Sequence, residues 1–397
     1  MRDPTSFLGV EYRQLVDAQL DWRLRVLEGP SAPWCEVDGK RVLMLCSNNY
    51  LGFSNHPKLK EAARRAIDTH GVGSGSVRPI AGTMDLHVEL ERRLARFKGA
   101  ESSLVYQTGF ATNAGLIPQL VGEGDLIISD ELNHGSIIDG VRLSRAERAV
   151  YKHADASDLE RGLAAAEEHS PTYRRILVIT DGVFSMDGDI APLDRIAAAG
   201  AKHGAMVYVD DAHGEGVLGE GGRGIVSHFK LGYDRVHVEM GTFSKAFGVV
   251  GGHISGSADL VRFAYNKSRT WLLSGSAPPP VAAACLAAVD VLETEPEHVE
   301  RLWTHTRRFK KEMGELGFDL GHSETPITPV MVGESRVAQQ LSSRLFELGV
   351  FALPIVFPMV AKDKARIRTI MNAALSAEDV TTAVAAFQKA GRELSLI

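Results

Sequence analysis

The stretch PLDRIAAAGAKHGAMVYVD, residues 192–210, places a helix pattern directly before a short apolar run. Its first part has the spacing of an amphipathic helix, and its valine-containing end is typical of a buried strand. The same alternation recurs along the middle of the chain. Such alternation produces a mainly parallel sheet covered by helices, so we predict the α/β class. The predicted strands are SLVYQT (103–108), DLIISD (125–130), RILVIT (175–180), AMVYVD (205–210) and RVHVEM (235–240).

The chain has 397 residues, which is enough for two domains. From about Pro278 the pattern changes to a long Ala/Leu/Val helix, followed by two apolar runs and two more helices, which is typical of a smaller α+β domain. An amphipathic helix is predicted near Tyr12 to Leu27, and we expect it to pack on another subunit. The predicted division is an N-terminal arm (1–48), a large domain (49–285) and a small C-terminal domain (286–397).

Composition excludes several classes of protein. There are 44 basic and 50 acidic side chains, with a net charge of -6 and no long Lys/Arg run, so nucleic acid is not an expected partner. Cys35, Cys46 and Cys285 are far apart and form no CxxC pair, so neither a disulfide framework nor a zinc site is expected from them. The amino terminus does not have a signal-peptide pattern, and no run of about 18 apolar residues occurs. These features favour a cytoplasmic protein without stable membrane insertion.

Ligands of open α/β sheets bind beyond the carboxyl ends of the strands, and three loops there are notable. In QTGFATNAG (107–115), Gly109 and Phe110 open a helix whose backbone N–H groups and dipole suit an anion. The alternative is a tight turn that needs glycine. This loop lacks the spacing of a nucleotide P-loop, and HGVGSGS (70–76) does not connect a strand to a helix, so neither stretch has a nucleotide-binding fingerprint.

The second loop, VYVDDAHGEG (207–216), puts Asp210 at the end of an apolar strand. A carboxylate there is costly unless a cation or a hydrogen-bond donor meets it. A metal site is one interpretation of the DDxH cluster, but no third ligand is recognisable nearby. The other interpretation is a set of paired structural groups.

The third loop, GTFSKAFG (241–248), surrounds Lys245 with small residues and hydroxyls. A single lysine is usually a solvated surface charge. This one follows a buried-type strand directly, where desolvation would lower its pKa and leave a nucleophilic amine. An anion site, a buried carboxylate and an amine are together what pyridoxal 5'-phosphate requires of a protein.

The sequence resembles the α-oxoamine synthases, a family of fold-type I pyridoxal-phosphate transferases. The resemblance extends over nearly the whole chain and favours the 8-amino-7-oxononanoate synthase and glycine C-acetyltransferase branches, the first of which belongs to biotin biosynthesis. It implies that residues 49–285 bind the cofactor. The motifs are SNNYLGFSNHP (47–57), SVRPIAGTMDLHVELE (76–91), DELNHGSIIDG (130–140), TDGVFSMDGDIAPL (180–193), VDDAHGEGVLG (209–219), GTFSKAFG (241–248) and KARIRTIMNAA (364–374).

The resemblance implies a role for each matching position in the cofactor site. Lys245 would bind the cofactor aldehyde and act as acid and base at the substrate α-carbon, while Asp210 would keep the pyridine nitrogen protonated. With His134 and His213 these two residues form the predicted catalytic set. The further implied contacts are His134 stacked on the ring, Ser185 and His213 at the phenolic oxygen, and Gly109, Phe110, Thr242, Ser244 and a second subunit's Ser274 or Ser276 at the phosphate.

On the substrate side, Arg368 matches the arginine that pairs with the amino-acid carboxylate, and Asn48 matches a substrate-side asparagine. The implied reaction joins glycine or alanine to an acyl-CoA through a quinonoid carbanion. Coenzyme A leaves, and the product is a 2-amino-3-keto acid or, after loss of carbon dioxide, an aminoketone. The family also implies a homodimer with the site at its interface. Leu375 and Gly275 depart from the family pattern, where histidine and a small polar or alanine residue are common.

Three alternatives use part of the same pattern. A serine palmitoyltransferase-type synthase has serine before the lysine, as Ser244 is here. An aminotransferase or threonine aldolase would use the same lysine and aspartate without acyl-CoA. A regulator that keeps the fold without turnover would retain these residues for binding alone.

Overall fold

A seven-stranded sheet is the centre of the computed structural model, which describes residues 3–17, 20–21, 24–169 and 171–397. Strands and helices alternate along this part of the chain as the sequence predicts. The elements are β4 (Ser102–Tyr106), α4 (Gly109–Leu120), β5 (Leu126–Asp130), α5 (Gly135–Leu143), β6 (Glu147–Tyr151), α6 (Ala156–Glu167), β7 (Ile176–Asp181), α7 (Leu193–Lys202), β8 (Met206–Asp210), α8 (Ile225–His228), β9 (Val238–Thr242) and β10 (Gly252–Gly256).

The remaining elements lie before and after this sheet. They are α1 (Ser6–Asp17), β1 (Leu27–Glu28), β2 (Trp34–Val37), β3 (Lys40–Met44), α2 (Pro57–His70) and α3 (Asp85–Lys98) on the amino-terminal side, and α9 (Ala258–Lys267), α10 (Arg269–Leu273), α11 (Pro279–Thr294), α12 (Glu297–Glu315), β11 (Ile327–Gly333), α13 (Ser335–Glu347), β12 (Val350–Phe351), β13 (Leu353–Ile355), β14 (Ala365–Ile370) and α14 (Ala377–Glu393) on the carboxyl-terminal side.

The strand order β4-β10-β9-β8-β7-β5-β6 decides where the loops meet. Strands β5 to β9 are mutually parallel, and β10 is antiparallel to both β9 and β4. Consequently β4 runs in the same direction as β9, and the carboxyl ends of six strands share one edge. Asp210 pairs in register with Asp181 on the neighbouring strand, so the loops after β7 and β8 begin side by side.

The sheet is buried on both faces, as expected for parallel strands covered by helices. Leu177, Val178 and Ile179 of β7 are fully buried, although their side chains alternate between faces. Helix α11 packs across α2 and α3. Strand β9 begins three residues later than the sequence predicts, because residues 233–235 form a turn.

Two smaller sheets connect the ends of the chain. Strand β3 is parallel to β12, so residues near the amino terminus join a sheet that continues β1-β2-β3-β12. The other sheet has the order β11-β14-β13. Strand β3 pairs with β12 across the predicted boundaries, and α11, which spans residue 285, packs on α2 and α3. The division into an arm and two domains therefore stays a prediction.

The predicted helix near Tyr12 to Leu27 is wrong in its second half. Helix α1 ends at Asp17, and Leu27 lies in β1. The Val26 N–H donates to Asp38 Oδ1 at 2.9 Å, and the Val26 carbonyl accepts from the Asp38 N–H at 2.9 Å, so pairing with a distant turn overrides the helical spacing. Residues 18, 19, 22 and 23 lie outside the described part. No helix in the described ranges is long and apolar enough to cross a membrane.

Candidate active site

A cavity of about 250 Å³ opens at the carboxyl edge of the large sheet. It lies where the loops after β4, β5, β7, β8 and β9 meet, so segments far apart in sequence contribute to one site. Nine of the predicted site residues line it. The lining comprises Thr108, Gly109, Phe110, His134, Ser136, Asp181, Val183, Ser185, Asp210, Ala212, His213, Met240, Thr242, Ser244 and Lys245.

The amino terminus of α4 forms one end of the cavity. Thr108 is the N-cap residue, and its hydroxyl accepts from the Ala111 N–H at 3.0 Å. The N–H groups of Gly109 and Phe110 precede any intrahelical partner, and the first turn holds no acidic residue. A Cβ at Gly109 would lie 3.0 Å from Met240 Cε, so glycine keeps this end open. These features make an anion seat.

Two hydroxyls extend the anion seat from the loop after β9. Ser244 Oγ and Thr242 Oγ1 lie 2.8 Å apart, and Thr242 Oγ1 donates to the Gly251 carbonyl at 2.6 Å. Because the Thr242 hydrogen is used in this way, its oxygen accepts from Ser244. If Ser244 turned away from Thr242, its hydroxyl could donate to a bound anion instead.

Asp210 is a buried carboxylate of the cavity, and a polar network fixes it. Its Oδ2 accepts from Asn113 Nδ2 at 2.8 Å, and Asn113 Oδ1 accepts from the Tyr208 hydroxyl at 2.7 Å. Asn113 Nδ2 also donates to Ser136 Oγ at 2.9 Å. The Tyr208 contact orients the asparagine amide, so its NH₂ group must face Asp210. The carboxylate is therefore positioned before any ligand arrives.

Lys245 combines a titratable amine with access to the cavity. Burial lowers the pKa of this lysine to about 8, although the negative charges of Asp210 and Asp181 act to raise it. Among the described residues, no hydrogen bond or ion pair engages its ammonium. A substantial fraction of free amine therefore exists near pH 8, which is the form that attacks an aldehyde.

His134, the N-cap residue of α5, lines the same cavity. Its ring Nδ1 accepts from the Ser136 N–H at 3.2 Å, and its backbone N–H donates to Asp181 Oδ2 at 2.9 Å. Burial lowers the pKa of His134, although the negative charge of Asp210 acts to raise it. The lowered pKa favours a neutral ring. Burial beside Asp210 raises the pKa of Asp181 well above its usual range.

His213 is buried, and Tyr50 holds its ring. Its Nδ1 lies 2.8 Å from the Tyr50 hydroxyl. Burial, together with the charges of Lys245 and Arg368, keeps the pKa of His213 well below its ordinary value, so the ring is neutral. If Tyr50 donates to Nδ1, then Nε2 carries the hydrogen and can donate to a ligand.

Arg368 of β14 approaches the cavity from the small three-stranded sheet. Its Nε donates to the Ser185 carbonyl, and its Nη1 and Nη2 donate to Asn48 Oδ1 at 3.2 and 3.3 Å. Burial lowers the pKa of Arg368. The two predicted substrate residues thus contact each other directly. Leu375, in place of the family histidine, is buried in the hydrophobic core and not in the cavity.

Ser274 and Ser276 do not line the cavity of their own chain. Ser276 Oγ lies 2.5 Å from Ser74 Oγ, and the Ser274 carbonyl accepts from Gln107 Nε2 at 3.3 Å. Their predicted contact from a second subunit stays a prediction. The sequence analysis gave no role to Asn113, Asp181 or Tyr50. The available signal was that each is a polar residue inside one of the quoted motifs.

The donor set of the cavity fits pyridoxal phosphate. The anion seat suits a phosphate, the preorganised Asp210 carboxylate suits a protonated pyridine nitrogen, and the Lys245 amine suits an aldehyde. The sites for these three groups line one cavity.

Comparison with known proteins gives consistent relatives over the full length. The family model of aminotransferase class I and II matches residues 40–387. The 8-amino-7-oxononanoate synthase of Symbiobacterium thermophilum is 55% identical over 393 residues, covering 99% of each chain. The 8-amino-7-oxononanoate synthase 1 of Bacillus subtilis is 49% identical and covers 99% of this chain and 99% of its own.

Solved structures agree with this fold. A serine palmitoyltransferase variant from S. paucimobilis, with a bound PLP-myriocin aldimine, superimposes with a TM-score of 0.92 at 30% identity and covers 100% of both chains. The predicted fold-type I architecture is confirmed by this likeness.

Proposed function

The chain belongs to the aminotransferase class I and II family and, within it, is a pyridoxal-phosphate-dependent α-oxoamine synthase, and from this premise we propose the role of each site residue. Its activity is acyl-CoA-dependent condensation with a small amino acid, of the 8-amino-7-oxononanoate synthase type. The observation that carries this assignment is the 55% identity over 99% of both chains.

Cofactor binding is proposed to use the preformed groups of the cavity. The N–H groups of Gly109 and Phe110, with the Thr242 and Ser244 hydroxyls, would bind the phosphate, and Lys245 Nζ would bind the aldehyde carbon. When bound, pyridoxal phosphate supplies an electron sink that stabilises a carbanion at the amino-acid α-carbon. The other proposed contacts are Asp210 with the pyridine nitrogen, His134 with the ring face, Ser185 and His213 with the phenolic oxygen, and a second subunit's Ser274 or Ser276 with the phosphate.

Arg368 and Asn48 are proposed to bind the amino-acid carboxylate. Two guanidinium nitrogens of Arg368 donate to one oxygen of Asn48 at 3.2 and 3.3 Å, and a carboxylate would be a stronger acceptor for both of them. The Ser185 carbonyl fixes the third nitrogen, so the fork cannot rotate freely.

Proton transfer at the α-carbon is assigned to Lys245. Its amine lies in the cavity with a pKa of about 8, so it can accept a proton near neutral pH and return it. Tyr50 would keep His213 Nε2 as a donor to the phenolic oxygen, which holds a second proton at a defined atom. Glycine or alanine is the proposed amino-acid substrate, because the motifs SVRPIAGTMDLHVELE and TDGVFSMDGDIAPL favour branches of the family that use small amino acids.

Thiol release tests the reaction. The protein loaded with pyridoxal phosphate is mixed with acetyl-, pimeloyl- or palmitoyl-CoA and with glycine, alanine or serine, and products are identified by mass. We expect thiol release that requires an amino acid, with pimeloyl-CoA and alanine as the preferred pair. Preference for palmitoyl-CoA and serine would support the serine palmitoyltransferase-type alternative.

Two variants make the assay specific. Lys245→Ala should abolish turnover, whereas Lys202→Ala, which removes an exposed lysine paired with Glu160, should not change it. Turnover without acyl-CoA, or a yellow protein that releases no thiol, would contradict the synthase reaction and favour an aminotransferase or aldolase.

A further inference from the structure

His153, two residues beyond the end of β6, contacts both the end of β5 and the segment that follows β7. Its Nδ1 lies 3.1 Å from Asp130 Oδ1 and its Nε2 lies 2.7 Å from Asp189 Oδ2. Its ring also packs edge-on against Phe184, with centroids 4.3 Å apart and planes at 88°. One imidazole thus contacts the last residue of β5 and both legs of a hairpin that follows β7.

That hairpin, residues 182–190, is closed by backbone contacts. Val183 and Ile190 form an isolated antiparallel bridge, and the Phe184 N–H donates to the Asp189 carbonyl at 3.1 Å. His153 therefore contacts the outgoing leg through the Phe184 ring and the returning leg through the Asp189 carboxylate. A change at His153 would move both legs together.

The tip of the hairpin lies against the proposed amino-acid subsite. The Ser185 carbonyl accepts from Arg368 Nε, and the Met186 carbonyl accepts from Arg366 Nη1 at 3.3 Å. The Asp187 carboxylate also pairs with Arg366. The position of the Arg368 fork therefore depends on the position of this hairpin.

The contact with Asp130 supplies a fixed anchor. Asp130 is buried, and its oxygens accept from the Leu132 N–H at 2.9 Å and the Ala154 N–H at 2.8 Å. Asp189 is different, because its other oxygen, Oδ1, is buried without a hydrogen-bond partner among the described residues. His153 therefore links a carboxylate at the end of β5, held by two backbone N–H groups, to a carboxylate of the hairpin.

We infer that His153 is a positioning residue for the amino-acid subsite: its bridge between Asp130 and Asp189 holds hairpin 182–190 where the Ser185 carbonyl orients Arg368. This deepens the proposed function and rests on it, since Arg368 is proposed there to bind the substrate carboxylate. The residue itself does not line the cavity. It acts on substrate binding through the hairpin and takes no part in proton transfer.

The charge state of the bridge gives it a pH dependence. Burial of the ring opposes protonation, but hydrogen bonds to Asp130 and Asp189 and their charges raise the pKa of His153 to about 10. Within the part of the chain that the structure describes, the only other acidic group in contact with His153 is Glu131, whose Oε1 accepts from the His153 backbone N–H at 2.9 Å. Because the folded pKa is raised, the interaction is complete below the unfolded pKa near 6.5 and is lost as pH rises through about 10.

The test compares His153→Gln with His203→Gln, a matched control in which the histidine pairs with Glu167 away from the cavity. Amide hydrogen exchange is measured first, on the protein without cofactor. We expect exchange in 182–190 to become about tenfold faster in His153→Gln and unchanged in the control. This difference should shrink as pH rises through about 10, because the wild-type bridge is then lost.

Kinetics with the loaded enzyme give the second readout. We expect His153→Gln to raise KM for the amino acid about tenfold with kcat changed less than about threefold, which is the pattern of lost substrate positioning. His153→Arg, whose guanidinium can bridge two carboxylates, should restore most of the hairpin protection. A folded His153→Gln protein with wild-type exchange and KM would overturn the inference, as would a loss of thermal stability without either change.

The two proposals fail in different ways. If the wild-type enzyme releases no thiol with any acyl-CoA, the proposed reaction is refuted, and the exchange comparison still decides whether His153 holds the hairpin. If thiol release is normal and the exchange of 182–190 is insensitive to His153→Gln, the proposed reaction stands and the positioning role is refuted.

Discussion

Removing the Asp210 charge should make Lys245 easier to deprotonate. The pKa of Lys245 is lowered to about 8 by burial, and Asp210 is the largest influence in the opposite direction. With this pKa, about 9% of the amine is free at pH 7 and about 50% at pH 8, whereas an ordinary lysine would be less than about 0.1% free at pH 7. The variant Asp210→Asn removes the charge that favours the ammonium, so its Lys245 should have a pKa below about 8.

The assay is the rate at which cofactor-free protein binds pyridoxal phosphate through its lysine, followed by absorbance from pH 6 to 10. In the wild type, this rate should rise about fivefold between pH 7 and pH 8 and level off above pH 9, following the free-amine fraction. In Asp210→Asn the midpoint should move to lower pH, although turnover falls because the pyridine nitrogen loses its partner. An opposite charge nearby shifts a pKa by about 1–3 units, which sets the expected scale.

Asp259→Asn is the matched control, because Asp259 is exposed and pairs only weakly with Arg262 at 3.2 Å. Its midpoint should equal that of the wild type. A wild-type rate that keeps rising tenfold for each pH unit up to pH 10 would refute the lowered pKa. A midpoint that moves upward in Asp210→Asn would refute the electrostatic reasoning.

Three further substitutions test separate contacts. Arg368→Lys should raise the KM for the amino acid about 10- to 100-fold, because the bidentate fork is lost, with the dissociation constant of the cofactor unchanged by direct titration. Asn113→Ala should weaken cofactor binding about tenfold or more by releasing the Asp210 carboxylate, and an unaltered titration would count against that network. Tyr50→Phe should lower kcat about tenfold by freeing the His213 tautomer; wild-type kcat would show that the Tyr50 hydroxyl does not select it.

The parallel strands other than β6 were predictable because their signals are local, whereas β6 was not predicted. Apolar runs of Val, Ile and Leu that end in Asp130, Asp181 or Asp210 have the composition of buried strands, and each lies in or beside the predicted range. Strand β10 was missed because Gly252, His253 and Gly256 give it no strand pattern. Its conformation comes from pairing on both sides, with β4 and β9, which is tertiary information.

The site residues divide in the same way. Lys245 and Asp210 were found because an ionisable group directly after an apolar strand is costly unless it has a function or a partner. Asn113 and Tyr50 were missed because each acts through another side chain, and neither position departs from an ordinary helix or loop pattern. Their roles follow from distances that sequence spacing does not contain.

The placement of β4 has a consequence for synthesis on the ribosome. This strand leads into the anion seat at Gly109 and Phe110, and its neighbour in the large sheet is β10, with Tyr106 paired to Gly252. A nascent chain that ends before residue 252 therefore lacks the partner that places Gly109 beside Thr242. Loop closure must precede such long-range pairing. Pyridoxal phosphate is therefore expected to bind only after most of the chain has emerged, too late to assist the folding of the first half.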